Sequence, residues 1–123
     1  MESSALVAAL LEHAPAVLRA PAGTRHVTSA LTLAEAGRAI VRARATGRLT
    51  PADEQAAVRA LRVFERRCFI VDVDRAVLAR VRRPFPVEPI GTLDAVHLAT
   101  TELLGEAPQL VTIVTRDVRV RDN

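Results

Sequence analysis

The chain of 123 residues lacks lysine, tryptophan and tyrosine, and its only aromatic residues are three phenylalanines. So few rings argue against the stacking platforms on which many single-strand-binding proteins hold bases. All 17 basic residues are arginine, against 14 acidic residues. A high-GC coding bias is the simpler explanation for the missing lysine. The net charge of +3 suits a polyanionic partner but is too small to establish nucleic-acid binding.

A single cysteine and the lack of long apolar runs bear on the cellular compartment. Cys68 has no intramolecular disulfide partner, and its apolar neighbours predict a buried side chain. No apolar stretch reaches about 18 residues, and residues 1–4 lack the basic start of a signal peptide. We therefore expect a cytoplasmic protein that is neither exported nor inserted into a membrane.

The length predicts one domain over residues 1–123, which is large enough to bury about two-thirds of its unfolded surface without a metal or disulfide. Helical patterns alternate with short apolar strands. This order predicts an α/β fold with three α/β/α layers around a central, mainly parallel sheet. A parallel α/β domain usually opens with a strand, and none is predicted before the first helix, so the first strand is expected to be missing.

Local signals predict the individual elements. Ser3 or Ser4 is expected to cap a first helix, and Thr50, Asp74 and Thr92 are expected to cap later ones. The first predicted helix ends near residues 13–15, and the later ones cover 29–45, 50–67, 74–82 and 92–104. The predicted strands cover 24–28, 68–73 and 110–115. The side chains predicted to face inward on the two longest helices are Leu31, Leu33, Ala34, Gly37, Ile40, Val41, Val58, Leu61, Val63 and Phe64.

Two aspartates stand where a folding core has little use for a carboxylate. Asp94 lies in the first turn of an apolar helix, and Asp117 follows the predicted strand 110–115. The carboxyl ends of parallel strands line one crevice, so both are expected to point there. The structural alternatives are a favourable helix dipole contact for Asp94 and a turn or helix cap for Asp117. The residues alone leave both alternatives open.

Glu35 interrupts the otherwise apolar segment 29–37. Burying an isolated carboxylate costs several kcal/mol, so Glu35 must face a cation, a hydrogen-bond donor or a water-filled cleft. His97, one turn after Asp94, is either a hydrogen-bonded packing residue or a bridge to Asp94 or a substrate phosphate. If these acids converge, hard oxygen ligands of this kind suit Mg²⁺ or Mn²⁺ and the hydrolysis of phosphodiesters.

Four short motifs in the same order resemble the PIN domain family, and most closely its VapC-type toxins. The family pattern begins with Asp-Ser-Ser-Ala-Leu and continues with a Ser-x-Leu-x-x-x-Glu helix start, a Leu-Asp-Ala-x-His-Leu-Ala helix and a Thr-x-Asp strand end. The corresponding residues here are 2–6 (Glu-Ser-Ser-Ala-Leu), 29–35, 93–99 and 115–117. Each motif is weak alone, but their order along nearly the whole chain is fairly specific.

The resemblance implies a Mg²⁺- or Mn²⁺-dependent endoribonuclease that cuts RNA, forms a homodimer and is inhibited by a cognate antitoxin protein. It carries Glu35, Asp94 and Asp117 over as catalytic, metal-binding acids. Glu2 stands at the position of the family's first aspartate as a fourth metal ligand, one methylene longer. Ser4, His97 and Thr115 carry over as supporting residues.

Two departures from the family pattern leave rival functions open. Glu2 replaces an aspartate, and both the preceding strand and the segment usually found after Asp117 are expected to be missing. One rival is a catalytically defective PIN-fold binding module that engages an antitoxin or RNA without cleavage. Another is a plain structural α/β domain whose acids are helix caps and surface residues.

Overall fold

The computed structural model describes Met1 and residues 3–12, 18–19, 21–106 and 111–123. Helices predominate in this part of the chain, and two short strands pair between them. In chain order the elements are α1 (Ser3–Leu11), β1 (Val27–Ser29), α2 (Ala30–Ala45), α3 (Pro51–Arg67), β2 (Phe69–Val71), α4 (Arg75–Val81), α5 (Thr92–Leu103) and α6 (Val118–Arg121). The α/β class predicted from the sequence is confirmed.

Strands β1 and β2 form a parallel pair in which Val27 aligns with Phe69 and Ser29 with Val71. Parallel neighbours need a crossover connection, which the α2–α3 helical hairpin supplies here. Met1 lies beside β1, because its amino group donates to the Val27 carbonyl at 2.8 Å and its carbonyl accepts from Thr28 Oγ1 at 2.6 Å. Met1, which precedes α1, is thereby held beside Val27 and Thr28 of β1.

Two apolar clusters lie within the domain. The first joins Leu6 and Leu10 of α1 to Ala36 and Ile40 of α2 and to α3. The second joins α4, α5 and α6, and Leu31 of α2 packs against it. Since α2 contributes to both clusters and follows β1 directly, it connects the two halves of the domain.

Side-chain caps explain where several helices begin. The Thr50 hydroxyl accepts from the Asp53 amide at 3.1 Å while the Asp53 carboxylate accepts from the Thr50 amide, which completes a capping box before Pro51. Asp74 caps α4 by accepting from the Val77 amide at 2.9 Å. Both caps agree with the sequence-based prediction.

Several element boundaries differ from the prediction. Strand β1 covers 27–29 where 24–28 was predicted, and β2 covers 69–71 where 68–73 was predicted. Gly91, in extended conformation, is the N-cap of α5, so Thr92 lies inside the helix and does not cap it. Ser4 likewise lies inside α1. Residues 111–115 do not form a strand in the structure, although 110–115 was predicted as one, and Leu110 lies outside the described residues. The predicted end of the first helix, at 13–15, also lies outside them.

Three residues predicted to face inward are exposed: Ala34, Val41 and Val63. The α2–α3 contact uses a narrower stripe, with Ala36, Ile40 and Ala43 buried on α2 and Ala57 and Phe64 buried on α3. Val41 and Val63 lie outside this stripe and stay in solvent. Cys68 is partly buried against the first cluster, and burial raises the pKa of its thiol.

No helix in the described ranges is both long and apolar enough to cross a membrane.

Truncating the fully buried Leu6 tests the packing of α1. Leu6→Ala is expected to lower the free energy of unfolding by about 2–5 kcal/mol, because it removes apolar contacts and leaves a cavity. Urea denaturation measures the loss. Leu78→Ala is the matched control, since Leu78 is half exposed, and its loss is expected to stay below about 1 kcal/mol. Equal losses for the two variants would contradict the placement of α1.

Candidate active site

One polar contact between distant parts of the chain joins Glu35 on α2 to His97 on α5. Glu35 Oε2 lies 2.9 Å from His97 Nε2. The His97 side chain is 5% exposed and that of Glu35 is 23% exposed. The expectation that Glu35 needs a donor or a water-filled cleft is confirmed.

The contact also fixes the role of the imidazole. An ionised carboxylate accepts hydrogen bonds only, so the bond to an ionised Glu35 requires a His97 ring that carries a proton on Nε2. His97 is thus a buried, hydrogen-bonded histidine that holds the Glu35 carboxylate in one orientation. Metal-binding side chains are commonly held in this way by a second set of residues behind them.

Asp94 lies on α5 one helical turn before His97, and its side chain is partly buried. Its carboxylate turns back toward the N-cap glycine: a Cβ placed on Gly91 would stand 3.3 Å from Asp94 Oδ2. A carboxylate in the first turn is also favoured by the helix dipole. Gly91 therefore leaves the space that the Asp94 carboxylate occupies.

A second polar cluster joins α1 to the segment before α6. Ser4 Oγ accepts from the Arg116 amide at 2.9 Å and lies 3.4 Å from Thr115 Oγ1. Thr115 Oγ1 in turn accepts from the Asp117 amide at 2.9 Å. Two of the predicted supporting residues, Ser4 and Thr115, are thus brought together around the backbone of a predicted metal-binding acid.

Asp117 itself caps a helix. Its Oδ1 accepts from the Arg119 amide at 2.8 Å, and α6 begins at the next residue. The alternative of a helix cap is therefore correct for one carboxylate oxygen. A capping role orients the side chain but does not exclude a second role for it.

Polar groups also lie in the interior near Glu35. Thr32, one helical turn earlier on α2, is fully buried, and its hydroxyl has no hydrogen-bond partner among the described residues. A cavity of about 180 Å³ is bordered by β1, His97 and residues 111–114. His97 thus lies between the Glu35 carboxylate and an open space.

The donor chemistry suits a hard divalent cation, since Glu35, Asp94 and Asp117 offer carboxylate oxygens. Within the described ranges, however, no three carboxylate, imidazole or thiol groups are grouped so that they could hold a metal ion. Glu2, the predicted fourth ligand, lies outside those ranges. The structure therefore joins Glu35 to His97 and Ser4 to the Asp117 segment, while a complete set of ligands is not among its described contacts.

The sequence profile of the PIN domain family matches residues 2–123. The chain belongs to the PIN domain family. No curated protein and no solved structure matches it. PIN domains are generally nucleases that use divalent metals, so a nucleic-acid substrate and hydrolytic chemistry are the general expectation for this PIN domain.

Two ion pairs between distant parts of this PIN domain were not predicted from the sequence. Arg116 pairs with Glu12 of α1 at 2.7 Å, across 104 residues. Arg80 makes a two-pronged pair with Glu102 of α5, with Nη2 and Oε1 2.8 Å apart, and stacks 3.9 Å from the centre of the Phe85 ring. The hydrogen bond to Glu102 raises the pKa of Arg80. Only the spacing of charges around helix ends could have suggested such pairs.

A double-mutant cycle tests the contact between Glu35 and His97. The coupling energy between Glu35→Ala and His97→Ala, from urea denaturation, is expected to be about 1.5–3 kcal/mol, because a partly buried charged hydrogen bond is lost. The matched control is the exposed pair Glu12 and Arg116, whose side chains are 59% and 58% exposed. Its coupling is expected to stay below about 1 kcal/mol. A Glu35–His97 coupling no larger than the control's would contradict the geometry.

Ser4→Ala tests the contact between α1 and the segment before α6. Removing the acceptor is expected to accelerate hydrogen exchange at the Arg116 amide and to cost about 0.5–1.5 kcal/mol of stability. Exchange measured by NMR under native conditions reports the amide directly. Ser4→Thr keeps the hydroxyl and is expected to retain most of the protection. Unchanged exchange in Ser4→Ala would show that Ser4 does not hold this backbone.

Proposed function

We propose that this PIN domain is a metal-dependent endoribonuclease that hydrolyses RNA phosphodiester bonds as a VapC-type toxin. Family membership over residues 2–123 supports nuclease chemistry in general. The observation that carries the proposal is the 2.9 Å contact between Glu35 and His97, which fixes a carboxylate of α2 against the helix that bears Asp94.

The proposed metal ligands are Glu35, Asp94 and Asp117, with Glu2 as a fourth. Carboxylates of this kind would hold Mg²⁺ or Mn²⁺ through oxygen atoms, with water completing the coordination. A divalent cation bound there supplies charge neutralisation at the phosphate and lowers the pKa of the attacking water.

The chain's own residues prepare this site. His97 donates to Glu35 Oε2 and so limits rotation of that carboxylate. Ser4 and Thr115 hold the backbone amides of Arg116 and Asp117. Such fixed positions matter because a site displaced by about 0.5 Å already loses catalytic efficiency.

The proposal includes two protein partners. A cognate antitoxin would bind and inhibit the domain, and a second copy of the chain would form a homodimer. Both follow from the similarity of the four motifs to VapC-type toxins.

Cleavage of a fluorescently labelled single-stranded RNA in millimolar Mn²⁺ or Mg²⁺ tests the activity. Wild-type protein is expected to cleave, and EDTA is expected to stop cleavage. Asp94→Asn is expected to reduce the rate by more than about 100-fold, beyond the 10–100-fold loss typical of residues behind the ligands. Asp72→Asn, at an exposed carboxylate between β2 and α4, is the control and is expected to cleave at the wild-type rate.

Equal cleavage by Asp94→Asn and wild type would show that the activity comes from a contaminant or from another site. If folded wild-type protein cleaves no RNA and binds no Mn²⁺ by calorimetry, the nuclease proposal is wrong. The second function, a defective PIN-fold module that engages an antitoxin or RNA without cleavage, would then replace it.

A further inference from the structure

Positive charge is concentrated in the α2–α3 hairpin. Residues 30–67 contain 8 arginines and 4 acidic residues, a net charge of +4, whereas the rest of the chain contains 9 arginines and 10 acidic residues, a net charge of −1. The two values add to the +3 of the whole chain. Less than a third of the sequence therefore carries all of its excess positive charge.

Three of these arginines share one side of α3. Arg59, Arg62 and Arg66 are spaced by three and four residues, so they lie along one helix face. All three are exposed, while Ala57 and Phe64 bury the opposite face against α1 and α2. We call Arg59, Arg62 and Arg66 the α3 arginine face. It extends over about 10 Å at a rise of about 1.5 Å per residue.

The acids of α3 leave this face unneutralised. Asp53 is engaged in the capping box with Thr50, and Glu54 pairs with Arg44 of α2 at 3.2 Å. Glu65, the third acid of α3, is exposed three residues after Arg62 and is not within ion-pair distance of the face. In the part of the chain that the structure describes, no carboxylate lies within ion-pair distance of Arg59, Arg62 or Arg66. The guanidinium groups therefore face solvent with their charge and hydrogen-bond donors available.

We propose that the α3 arginine face binds the phosphate backbone of single-stranded RNA, away from the bond that is cut. The choice of RNA rests on the proposed function. Guanidinium groups match phosphate oxygens in a two-pronged geometry, and neutralising phosphates releases counterions. With three phenylalanines as its only aromatic residues, the chain offers few rings for base stacking, so backbone contacts provide the affinity and no base sequence is read on this face.

The α3 arginine face belongs to the same helical hairpin as Glu35. Helices α2 and α3 pack along each other through Ala36, Ile40, Ala57 and Phe64, and Glu35 lies on α2. RNA held along α3 is therefore held on the element that positions one of the proposed ligands. A strand bound in this way gains affinity without occupying the candidate site.

The test replaces the three arginines together, as Arg59→Gln, Arg62→Gln and Arg66→Gln. Binding of a fluorescently labelled single-stranded RNA of mixed sequence is measured by anisotropy in EDTA at several salt concentrations. Each phosphate contact contributes about −0.7 to the slope of log K against log salt for a single strand, so the slope is expected to become shallower by about 2. Affinity at low salt is expected to fall roughly tenfold or more.

A matched variant removes the same charge elsewhere. Arg75→Gln, Arg82→Gln and Arg83→Gln together change three exposed arginines at the two ends of α4. This variant is expected to keep most of the wild-type slope. An equal loss in both variants would overturn the proposal, because total charge and not the α3 arginine face would control binding. An unchanged slope in the α3 variant would overturn it as well.

Two further measurements separate the remaining outcomes. Circular dichroism of the α3 variant must match that of the wild type, as expected for surface substitutions on a helix. Poly-glutamate is the competitor that stands for an acidic protein partner, and displacement of RNA at equal charge concentration would overturn the assignment to RNA. Because binding is measured in EDTA, wild-type protein that binds RNA through α3 but never cleaves it would overturn the proposed function and leave this inference standing.

Discussion

The hydrogen bond between Glu35 and His97 is the constraint on which the candidate site depends. A carboxylate that is 23% exposed among apolar neighbours is stable only beside a donor, and His97 supplies one from another helix. The pair therefore specifies how α2 approaches α5. Since α5 also bears Asp94, the same contact sets the relation between two of the proposed ligands. Packing alone would permit some sliding of one helix along the other, whereas a directional hydrogen bond does not.

The two apolar clusters have different parts in holding this arrangement. The α1–α3 cluster supports the helix that carries Glu35, and the α4–α6 cluster supports the helix that carries Asp94 and His97. Leu31 packs against the second cluster although it belongs to α2, so the boundary between the clusters is bridged by apolar contact as well as by the hydrogen bond. The relative position of Glu35, Asp94 and His97 therefore depends on both clusters, and a cavity in either cluster would change it.

Local signals in the sequence predicted much of this structure. Most of the features that they did not predict depend on contacts between residues far apart in the chain. The caps at Thr50 and Asp74 were predictable because each is satisfied within three residues. The need of Glu35 for a partner was predictable from its apolar neighbours, but its choice of His97 over other donors was not. Ser4 was expected near the metal as a polar helper, and its actual contact with the Arg116 amide, 112 residues away, has no local signature. The exposure of Val41 and Val63 has a similar cause, because only the pairing of α2 with α3 decides which stripe is buried.

The proposed metal site needs negative charge, whereas the proposed RNA-binding surface needs positive charge. A site built from carboxylates repels RNA until a cation neutralises it, so the phosphate backbone must be attracted by another part of the molecule. The α2–α3 hairpin carries the excess positive charge, and three of its four acids are engaged in a cap, an ion pair and the contact with His97. The three arginines of the α3 arginine face lie on the side of α3 opposite Ala57 and Phe64, and none of them is within ion-pair distance of a carboxylate among the described residues. On the two proposals made above, a domain with a net charge of only +3 would combine an acidic metal site with a separate basic surface for RNA.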